Sequence, residues 1–453
     1  MWEIPAQLAM TTEKTVSEIS SIAKSASLQL AHLSVDVKNM ALEEVASAIE
    51  GGCSSILKEN AKDLEFAQKE NISGPLIARL RLNENKVMGM AKGIRSVIRL
   101  EDPVGQQQMA VEMDEGLTLY RVTCPIGVIG AIFESRPDAV PQISSLCFKS
   151  GNAVILKGGR EAQHSNKMIV SLITDAIEKV DGVPTGSVQM IKTRSEVADM
   201  LNEEKNINLI VPRGSNDFVK YIQKNTRIPV LGHSEGICHV YIDSKADLDK
   251  AISIALDSKL QYPAACNAME TLLIHEDIAQ ETLLPLVKQF YLQNVELVGC
   301  DHTRKIIPDM KPAVKVDWDT EYTDLKLSVK VVSMLSEAIK FINAHGSGHT
   351  DSIITEDASR AKRFLNEVDS SSVLWNASTR FADGFRFGLG AEIGISTNKT
   401  HARGPVGLDG LVIYKYKLIG TGQTVAEYSG DNAREFKHKQ LPTDRTKTGH
   451  IYL

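Results

Sequence analysis

One short segment holds the side chain with the clearest chemical capacity in this 453-residue chain. Residues 259–271 read Lys-Leu-Gln-Tyr-Pro-Ala-Ala-Cys-Asn-Ala-Met-Glu-Thr, which places Cys266 between an alanine and Asn267. A thiolate attacks carbonyl-type electrophiles, and a helix start near Cys266 would favour that form of the side chain. The alternative is a structural cysteine, because cysteine is among the residues most often buried in protein cores. The segment alone gives these two interpretations equal weight.

Two further segments have the composition of a dinucleotide site. Lys157-Gly158 ends the predicted strand Ala153–Lys157, where the lysine could bind a ribose or a 2′-phosphate and the glycine allows close backbone approach. Gly214-Ser215 opens a predicted helix, and a helix N-terminus is a natural phosphate site. Both segments also fit ordinary turn and capping roles, and neither contains a standard nucleotide fingerprint.

Other polar clusters suit an anionic substrate. Arg136 follows a predicted strand, and Ser378 and Arg380 lie in a segment rich in hydroxyl and guanidinium groups. An arginine can bind a carboxylate or phosphate through two parallel hydrogen bonds, although a surface ion pair is the commoner role. His345 and His349 lack a third ligand at regular spacing, so the sequence predicts no metal site.

The elements that would position these residues alternate in type. Residues 14–98 have mostly helical patterns, and from residue 138 short β-branched runs alternate with amphipathic helices. A second alternating series covers about 238–390. This pattern predicts an α/β fold whose parallel sheets are covered by helices on both faces.

The overall composition excludes several classes of partner. A net charge of −6 argues against nucleic acid or an anionic membrane surface, and no apolar run is long enough to span a bilayer. Six scattered cysteines without paired spacing favour a reduced, cytoplasmic setting without disulfides. The polar residues 426–453 are expected to form a poorly ordered tail.

Several longer segments, taken together and in order, resemble the γ-glutamyl phosphate reductase family of the aldehyde dehydrogenase superfamily over residues 14–425. The segments that carry this resemblance are Glu134–Pro137, Val211–Ser215, Tyr262–Thr271, Ala338–His345, Asn376–Gly384, Gly390–Thr397 and His401–Leu408. The resemblance implies NADPH-dependent reduction of L-glutamyl 5-phosphate to L-glutamate 5-semialdehyde with release of phosphate. This reaction is the second step of proline synthesis from glutamate.

The resemblance also assigns roles to residues. It implies that Cys266 forms a thioester and then a thiohemiacetal, with Asn267 beside it in the catalytic segment. Glu321 resembles the superfamily carboxylate that binds the nicotinamide ribose. The remaining assignments are cofactor binding by Lys157, Gly158, Gly214 and Ser215, and substrate binding by Arg136, Ser378 and Arg380.

Two departures from aldehyde-oxidising relatives bear on mechanism. The water-activating acid that precedes their Leu-Gly-Gly is absent here, where Val230 precedes Leu231. The asparagine that binds the oxyanion is replaced by the segment Glu134–Pro137, so the side-chain oxyanion donor is left open. A CoA-acylating aldehyde dehydrogenase, which shares the missing base, is the alternative enzyme, and a nucleotide-binding scaffold is the non-enzymatic alternative.

The resemblance predicts an aldehyde dehydrogenase-like α/β fold with a Rossmann-type cofactor domain, an α/β catalytic domain and a small β-flap. A homo-oligomer joined through that flap and functional coupling to glutamate 5-kinase are the expected associations. The predicted boundaries are 12–113 and 132–237 for the NADPH-binding domain, 238–390 for the catalytic domain, 114–131 and 403–425 for the oligomerisation flap, and 426–453 for the tail.

Overall fold

A computed structural model describes residues 14–72, 74–233 and 235–443. The chain divides into two compact units. The first comprises the residues up to Val211, Asn225–Val230 and those from Val412 onward, and the second comprises Pro212–Lys224 and Leu231–Leu411. Among the described residues, no helix combines the length and the apolar character needed to cross a membrane.

The first unit contains eight described helices and two sheets. Its helices are α1 Val16–Leu30, α2 Val35–Gly51, α3 Cys53–Lys69, α4 Gly74–Leu80, α5 Glu84–Ile98, α6 Ala139–Lys149, α7 Gln163–Ile177 and α8 Arg194–Leu201. Its strands are β1 Gln107–Asp114, β2 Leu117–Pro125, β3 Val128–Phe133, β4 Ala153–Lys157, β5 Val188–Met190, β6 Leu209–Arg213, β16 Val412–Ile419 and β17 Lys439–Gln440.

A four-stranded sheet in the order β5-β4-β3-β6 forms the centre of the first unit. The β3/β4 and β4/β5 pairs are parallel, and every residue of β3 is buried. Continuous apolar strands of this kind are typical of sheets covered on both faces. The helix starts follow local capping rules, since the Ser34 side chain accepts a hydrogen bond from the Val37 N–H at the start of α2.

A second, antiparallel sheet in the first unit has the order β16-β2-β1-β17. Its strand β17 comes from the predicted tail, and Tyr428 and Arg434 also bond to the Asp114 carboxylate. The expectation of a poorly ordered tail is therefore wrong for residues 426–443, because these polar side chains pair with a carboxylate at the end of β1. Residues 444–453 lie outside the described part of the chain.

The second unit is built on a larger parallel sheet. Its helices are α9 Asn216–Lys224, α10 Leu248–Leu260, α11 Glu276–Leu292, α12 Asp301–Ile306, α13 Leu335–His345 and α14 Ala358–Glu367. Its strands are β7 Cys238–Ile242, β8 Met269–His275, β9 Glu296–Gly299, β10 Lys311–Pro312, β11 Lys326–Val332, β12 Thr350–Ile354, β13 Ser372–Trp375, β14 Gly394–Ser396 and β15 Gly404–Val406.

Seven of these strands form one sheet in the order β10-β9-β11-β8-β7-β12-β13, and each neighbouring pair is parallel. Alternate residues of β7 and β8 enter two different cores. Val240 and Leu272 pack with α10 and α11 on one face, whereas Tyr241 and Leu273 pack with α13 and α14 on the other. The predicted α/β fold with helices on both faces of a parallel sheet is confirmed.

The unit boundaries differ from the predicted domain boundaries. Residues 212–224 and 231–237 belong to the second unit rather than to the cofactor domain. Residues 128–131 are part of β3 in the parallel sheet, and 404–406 pair with β14, so the antiparallel sheet excludes these parts of the predicted flap. Sequence pattern identifies strands but does not show which sheet a strand joins.

Candidate active site

Cys266 lies in the turn that connects α10 to β8. The side chain is partly exposed, and Cys266 is a free cysteine. The preceding helix ends at Leu260 and the following element is a strand, so the suggested helix start near the thiol is wrong. Activation of the thiol must come from nearby groups other than a helix N-terminus.

The backbone around the thiol is held closely by the neighbouring strand. A Cβ added at Gly236 would lie 2.1 Å from the Cys266 carbonyl oxygen, so glycine is required for this approach. The buried Cys238 thiol donates to the same carbonyl at 3.3 Å. The backbone N–H groups of Cys266 and Asn267 donate to no group within 14–72, 74–233 and 235–443.

A buried ion pair joins the two ends of the Cys266 turn. Lys259 in the last turn of α10 contacts Glu270 in β8, with a distance of 2.6 Å between Nζ and Oε2. Both side chains are at most 1% exposed, and the Thr323 N–H also donates to Glu270. Burial raises the pKa of Glu270 and lowers the pKa of Lys259, while the opposite charge of each partner counteracts the shift.

Two histidines lie beside the thiol. The ligand-capable atoms of His233, Cys266 and His349 all lie within 4.8 Å of one another. The Nδ1 of His233 is 2.9 Å from the Ile395 carbonyl oxygen and must carry the proton, because that oxygen only accepts. The Nδ1 of His349 bonds to the Thr350 hydroxyl at 2.8 Å, and its buried Nε2 has no partner among the described residues.

The predicted substrate residues Ser378 and Arg380 occupy a short turn beside the Cys266 loop. Arg380 is 9% exposed, and its Nε donates to the Gln261 side chain at 2.9 Å. Its terminal nitrogens have no hydrogen-bond partner within the described part of the chain. The Ser378 hydroxyl accepts from Ser258 and from the Arg380 N–H. The structure thus leaves the Arg380 guanidinium able to bind an anion, whereas Ser378 positions the turn.

Asn267 also has a structural contact. Its side-chain amide donates to the Ala382 carbonyl at 2.9 Å, which connects the catalytic segment to the loop that follows Arg380. The side chain is 3% exposed, and its Oδ1 has no partner among the described residues. The side-chain amide thus connects Asn267 to the loop at Ala382.

The structure brings three of the predicted cofactor residues together in the second unit. Gly214 and Ser215 lead into α9, and the Ser215 carbonyl accepts the Val219 N–H at 3.0 Å. The first residue of that helix, Asn216, donates its side-chain amide to Glu321 Oε2 at 3.1 Å. A carboxylate and a helix N-terminus thus lie side by side, which matches the donors and acceptors of a ribose phosphate.

Lys157 and Gly158 lie in the first unit, at the carboxyl end of β4. Burial lowers the pKa of Lys157, and the nearby Glu161 carboxylate counteracts that shift. A Cβ at Gly158 would lie 2.0 Å from the Asn166 side-chain amide, so a larger residue here would have to displace that side chain. Arg136, in the same unit, is 46% exposed and its guanidinium is 3.7 Å from Asp138.

Sequence reasoning missed His233, Gly236 and the Lys259–Glu270 pair. His233 precedes β7, Cys266 precedes β8 and His349 precedes β12, and these three strands are neighbours in the sheet. Residues that precede parallel neighbours share one edge of a sheet, so a correct strand order would have brought the three side chains together. The spacing of the histidines in the sequence therefore does not exclude a metal site in the folded sheet.

Comparisons with known proteins agree with the fold. The aldehyde dehydrogenase family model matches residues 3–298. The γ-glutamyl phosphate reductase of Pelotomaculum thermopropionicum is 54% identical over 429 residues, which are 95% of this chain and 98% of that protein. The crystal structure of γ-glutamyl phosphate reductase from Thermotoga maritima has a TM-score of 0.88 and 40% identity, covering 91% of this chain and all of that one.

Enzymes of the alternative class are more distant. An acetylating aldehyde dehydrogenase from Geobacillus thermoglucosidasius superposes with a TM-score of 0.63 over 90% of this chain and 97% of its own, but at 17% identity. That likeness shows a shared fold alone. The chain belongs to the aldehyde dehydrogenase family and, within it, to the γ-glutamyl phosphate reductases.

Proposed function

We propose that this protein reduces L-glutamyl 5-phosphate to L-glutamate 5-semialdehyde and phosphate, the second step of proline synthesis from glutamate. The observation that carries the proposal is the partly exposed Cys266 thiol in a rigid turn, in a chain that is 54% identical to a γ-glutamyl phosphate reductase. Val230 stands where aldehyde-oxidising relatives carry the acid that activates water. A thioester on Cys266 would therefore survive long enough to be reduced.

The first chemical step needs a nucleophile and a proton acceptor. The Cys266 Sγ forms a bond to the acyl carbon, the carbon–oxygen bond to phosphate breaks, and phosphate leaves with the bonding electrons. The thiol proton passes to His233 or His349, each of which has a ring nitrogen within 4.8 Å of Sγ. The backbone N–H groups of Cys266 and Asn267 stabilise the oxyanion, since they have no other described partner.

The second step returns the free enzyme. The aldehyde dehydrogenase family uses a nicotinamide cofactor, and NADPH is our assignment here. When bound, it supplies the hydride that reduces the acyl carbon of the thioester. The same two N–H groups then hold the oxyanion of the thiohemiacetal. Its collapse breaks the carbon–sulfur bond, releases the aldehyde and restores the Cys266 thiolate.

The cofactor assignment is supported by the donor sets in the two units. Glu321 beside the N-terminal residue of α9 suits a ribose, and Gly214 and Ser215 at the start of that helix suit a phosphate. Lys157 and Gly158 stand at the carboxyl edge of the parallel sheet, where an adenosine phosphate would bind. The Lys157 ammonium is our candidate for the 2′-phosphate that distinguishes NADPH from NADH.

Substrate anions require fixed cations near the thiol. Arg380 provides one, because it stacks 5.9 Å from the Tyr262 ring and keeps its terminal nitrogens free of described partners. We assign it to a carboxylate or phosphate of the substrate. A substrate role for Arg136, which belongs to the first unit, stays a prediction of the sequence. Ser378 has a supporting role in this scheme, since its hydroxyl caps the turn that carries Arg380.

A homo-oligomer is part of the proposal. β16 is the edge strand of the antiparallel sheet, and its side chains Ile413, Tyr414, Tyr416 and Leu418 are 43–59% exposed. A flat apolar edge strand is stabilised by pairing with a second chain. Coupling to glutamate 5-kinase and a cytoplasmic location stay predictions of the sequence.

The deciding experiment measures NADPH oxidation in a coupled assay with glutamate, ATP and glutamate 5-kinase. We expect turnover with wild-type protein, none with Cys266→Ala, and nearly normal turnover with Cys53→Ser, which replaces a cysteine outside the site. NADPH binding by Cys266→Ala should be retained. Activity with an acyl-CoA and none with the acyl phosphate would instead identify a CoA-acylating enzyme.

A further inference from the structure

Two imidazoles and a thiol converge at one edge of the second unit's sheet. The ligand-capable atoms of His233, Cys266 and His349 lie within 4.8 Å of one another. In a tetrahedral zinc site the bonds are about 2.0–2.3 Å, which puts neighbouring ligand atoms roughly 3.3–3.8 Å apart. Side-chain adjustments of up to about 0.8 Å per residue would bring all three atoms onto one ion.

The outer contacts of the two histidines match those of metal ligands. The Nδ1–H of His233 donates to the Ile395 carbonyl, so the opposite nitrogen, Nε2, has a free lone pair. The Nδ1 of His349 is held by the Thr350 hydroxyl, and the rings of the two histidines meet edge to face at 5.0 Å. Metal-binding histidines are oriented in this way by a hydrogen bond from the ring nitrogen that does not bind the metal.

An unpartnered buried atom provides independent support. His349 is 1% exposed, and its Nε2 makes no hydrogen bond within the described part of the chain. Buried polar atoms are almost always hydrogen-bonded or coordinated, since desolvation without a partner costs about 1–3 kcal/mol. A metal ion bound through Nε2 would satisfy this nitrogen.

We propose that His233, Cys266 and His349 form an inhibitory site for a borderline-soft divalent cation such as Zn²⁺. One thiolate and two neutral imidazoles suit this ion, and a water molecule would complete the tetrahedral coordination. Binding releases the Cys266 thiol proton to solvent and involves no redox change. The bound ion withdraws the sulfur lone pair that attacks the substrate, so occupancy and turnover exclude each other. The inhibition of turnover rests on the proposed function, whereas the binding of the metal ion does not.

Binding is tested on the reduced full-length protein with the metal alone. Co²⁺ should bind in a 1:1 ratio and show both a thiolate-to-cobalt charge-transfer band and the intense visible bands of a tetrahedral site. Zn²⁺ should displace it. Cys266→Ser should remove the charge-transfer band, and His233→Ala or His349→Ala should weaken Zn²⁺ binding on the order of 100-fold or more.

Matched controls separate this site from adventitious binding. Cys53→Ser and His302→Ala remove a cysteine and an exposed histidine outside the cluster and should bind Zn²⁺ like wild type. Because His349 is buried, circular dichroism must show that its variant is folded. If the His349 variant is not folded, His233→Ala and the near-isosteric Cys266→Ser provide a second test, because His233 is partly exposed.

The activity assay connects binding to inhibition. One equivalent of Zn²⁺ should abolish turnover, and a chelator should restore it. If the Co²⁺-loaded protein shows the charge-transfer band but the metal-free protein has no reductase activity, the proposed reaction is rejected and the metal site is supported. Normal turnover together with no thiolate-to-cobalt band would reject the proposed metal site and leave the proposed reaction standing. An unchanged Zn²⁺ affinity in Cys266→Ser would do the same.

Discussion

Replacing Lys259 with methionine should strongly destabilise the second unit. In the folded protein the Lys259 ammonium contacts Glu270 at 2.6 Å, and both side chains are at most 1% exposed. Methionine keeps the length and apolar character of the side chain but removes the charge. Glu270 would then be a buried carboxylate whose described hydrogen bond is the one from the Thr323 N–H at 3.2 Å.

The size of the effect follows from leaving the buried Glu270 carboxyl without its partner. Removing one partner of a buried ion pair typically costs about 3–5 kcal/mol, whereas replacing both with apolar residues is neutral or stabilising. Lys259→Met with Glu270→Leu should therefore recover most of the loss. On the same helix, Lys250 pairs with Glu356 at the surface, and Lys250→Met should cost about 1 kcal/mol or less.

The loss should also depend on pH in a defined direction. Burial raises the pKa of Glu270, and the Lys259 ammonium opposes that rise in the wild-type protein. Without the ammonium the folded state binds a proton that the unfolded state releases, so stability falls as pH rises from the unfolded pKa to the folded one. Because the pKa of Glu270 is already raised to about 7 in the wild-type protein, both proteins lose this stability in parallel below pH 7. The deficit of Lys259→Met should therefore be smallest up to about pH 7 and grow by up to about 1.4 kcal/mol per pH unit above it.

Tryptophan fluorescence can isolate the second unit during urea unfolding. The chain has three tryptophans, and a Trp2→Phe background leaves Trp318 and Trp375, both in that unit. Free energies of unfolding from the midpoint and slope at several pH values give the comparison. A Lys259→Met variant within about 0.5 kcal/mol of wild type, or a deficit independent of pH, would refute the reasoning.

Three further predictions concern the site and the assembly. Gly236→Ala should lower kcat about 100-fold in the coupled assay, because its Cβ would displace the Cys266 carbonyl; an unchanged kcat would contradict this. Arg380→Met should raise KM for the acyl phosphate and leave the affinity for NADPH unchanged, and equal effects on both would argue against substrate binding. Tyr416→Asp on the exposed edge of β16 should shift the protein toward monomer in light scattering, whereas an unchanged mass would exclude that edge from the interface.

Much of the fold could be predicted because its signals are local. The strand Ala153–Lys157 was predicted at its observed bounds, and the Ser34 cap of α2 follows from one hydroxyl before an amphipathic run. Pairing partners are not local. Nothing between residues 426 and 440 indicates that Lys439 and Gln440 pair with β1, because that contact depends on a strand more than 300 residues away.

The site shows the same division between local and distant information. Cys266 could be singled out from its own segment, and Lys157 follows the general preference for the carboxyl edge of parallel strands. His233 and His349 could not be assigned, because the thiol lies at the amino edge of the second unit's sheet, where β7, β8 and β12 begin. Recognising that edge requires the strand order, which is a property of the folded sheet.

The location of the thiol decides how it must be activated. The helix that precedes Cys266 ends at Leu260 and the next element is the strand β8, so neither neighbouring element presents a helix N-terminus to the thiol. The candidates beside the thiol are the Arg380 guanidinium and the two imidazoles. His233 is protonated on the nitrogen that faces Ile395, and His349 has a buried nitrogen without a described partner. A free imidazole nitrogen that can accept the thiol proton can also bind a metal ion. Under our two proposals, the same arrangement activates Cys266 for the acyl phosphate and exposes it to inhibition by zinc.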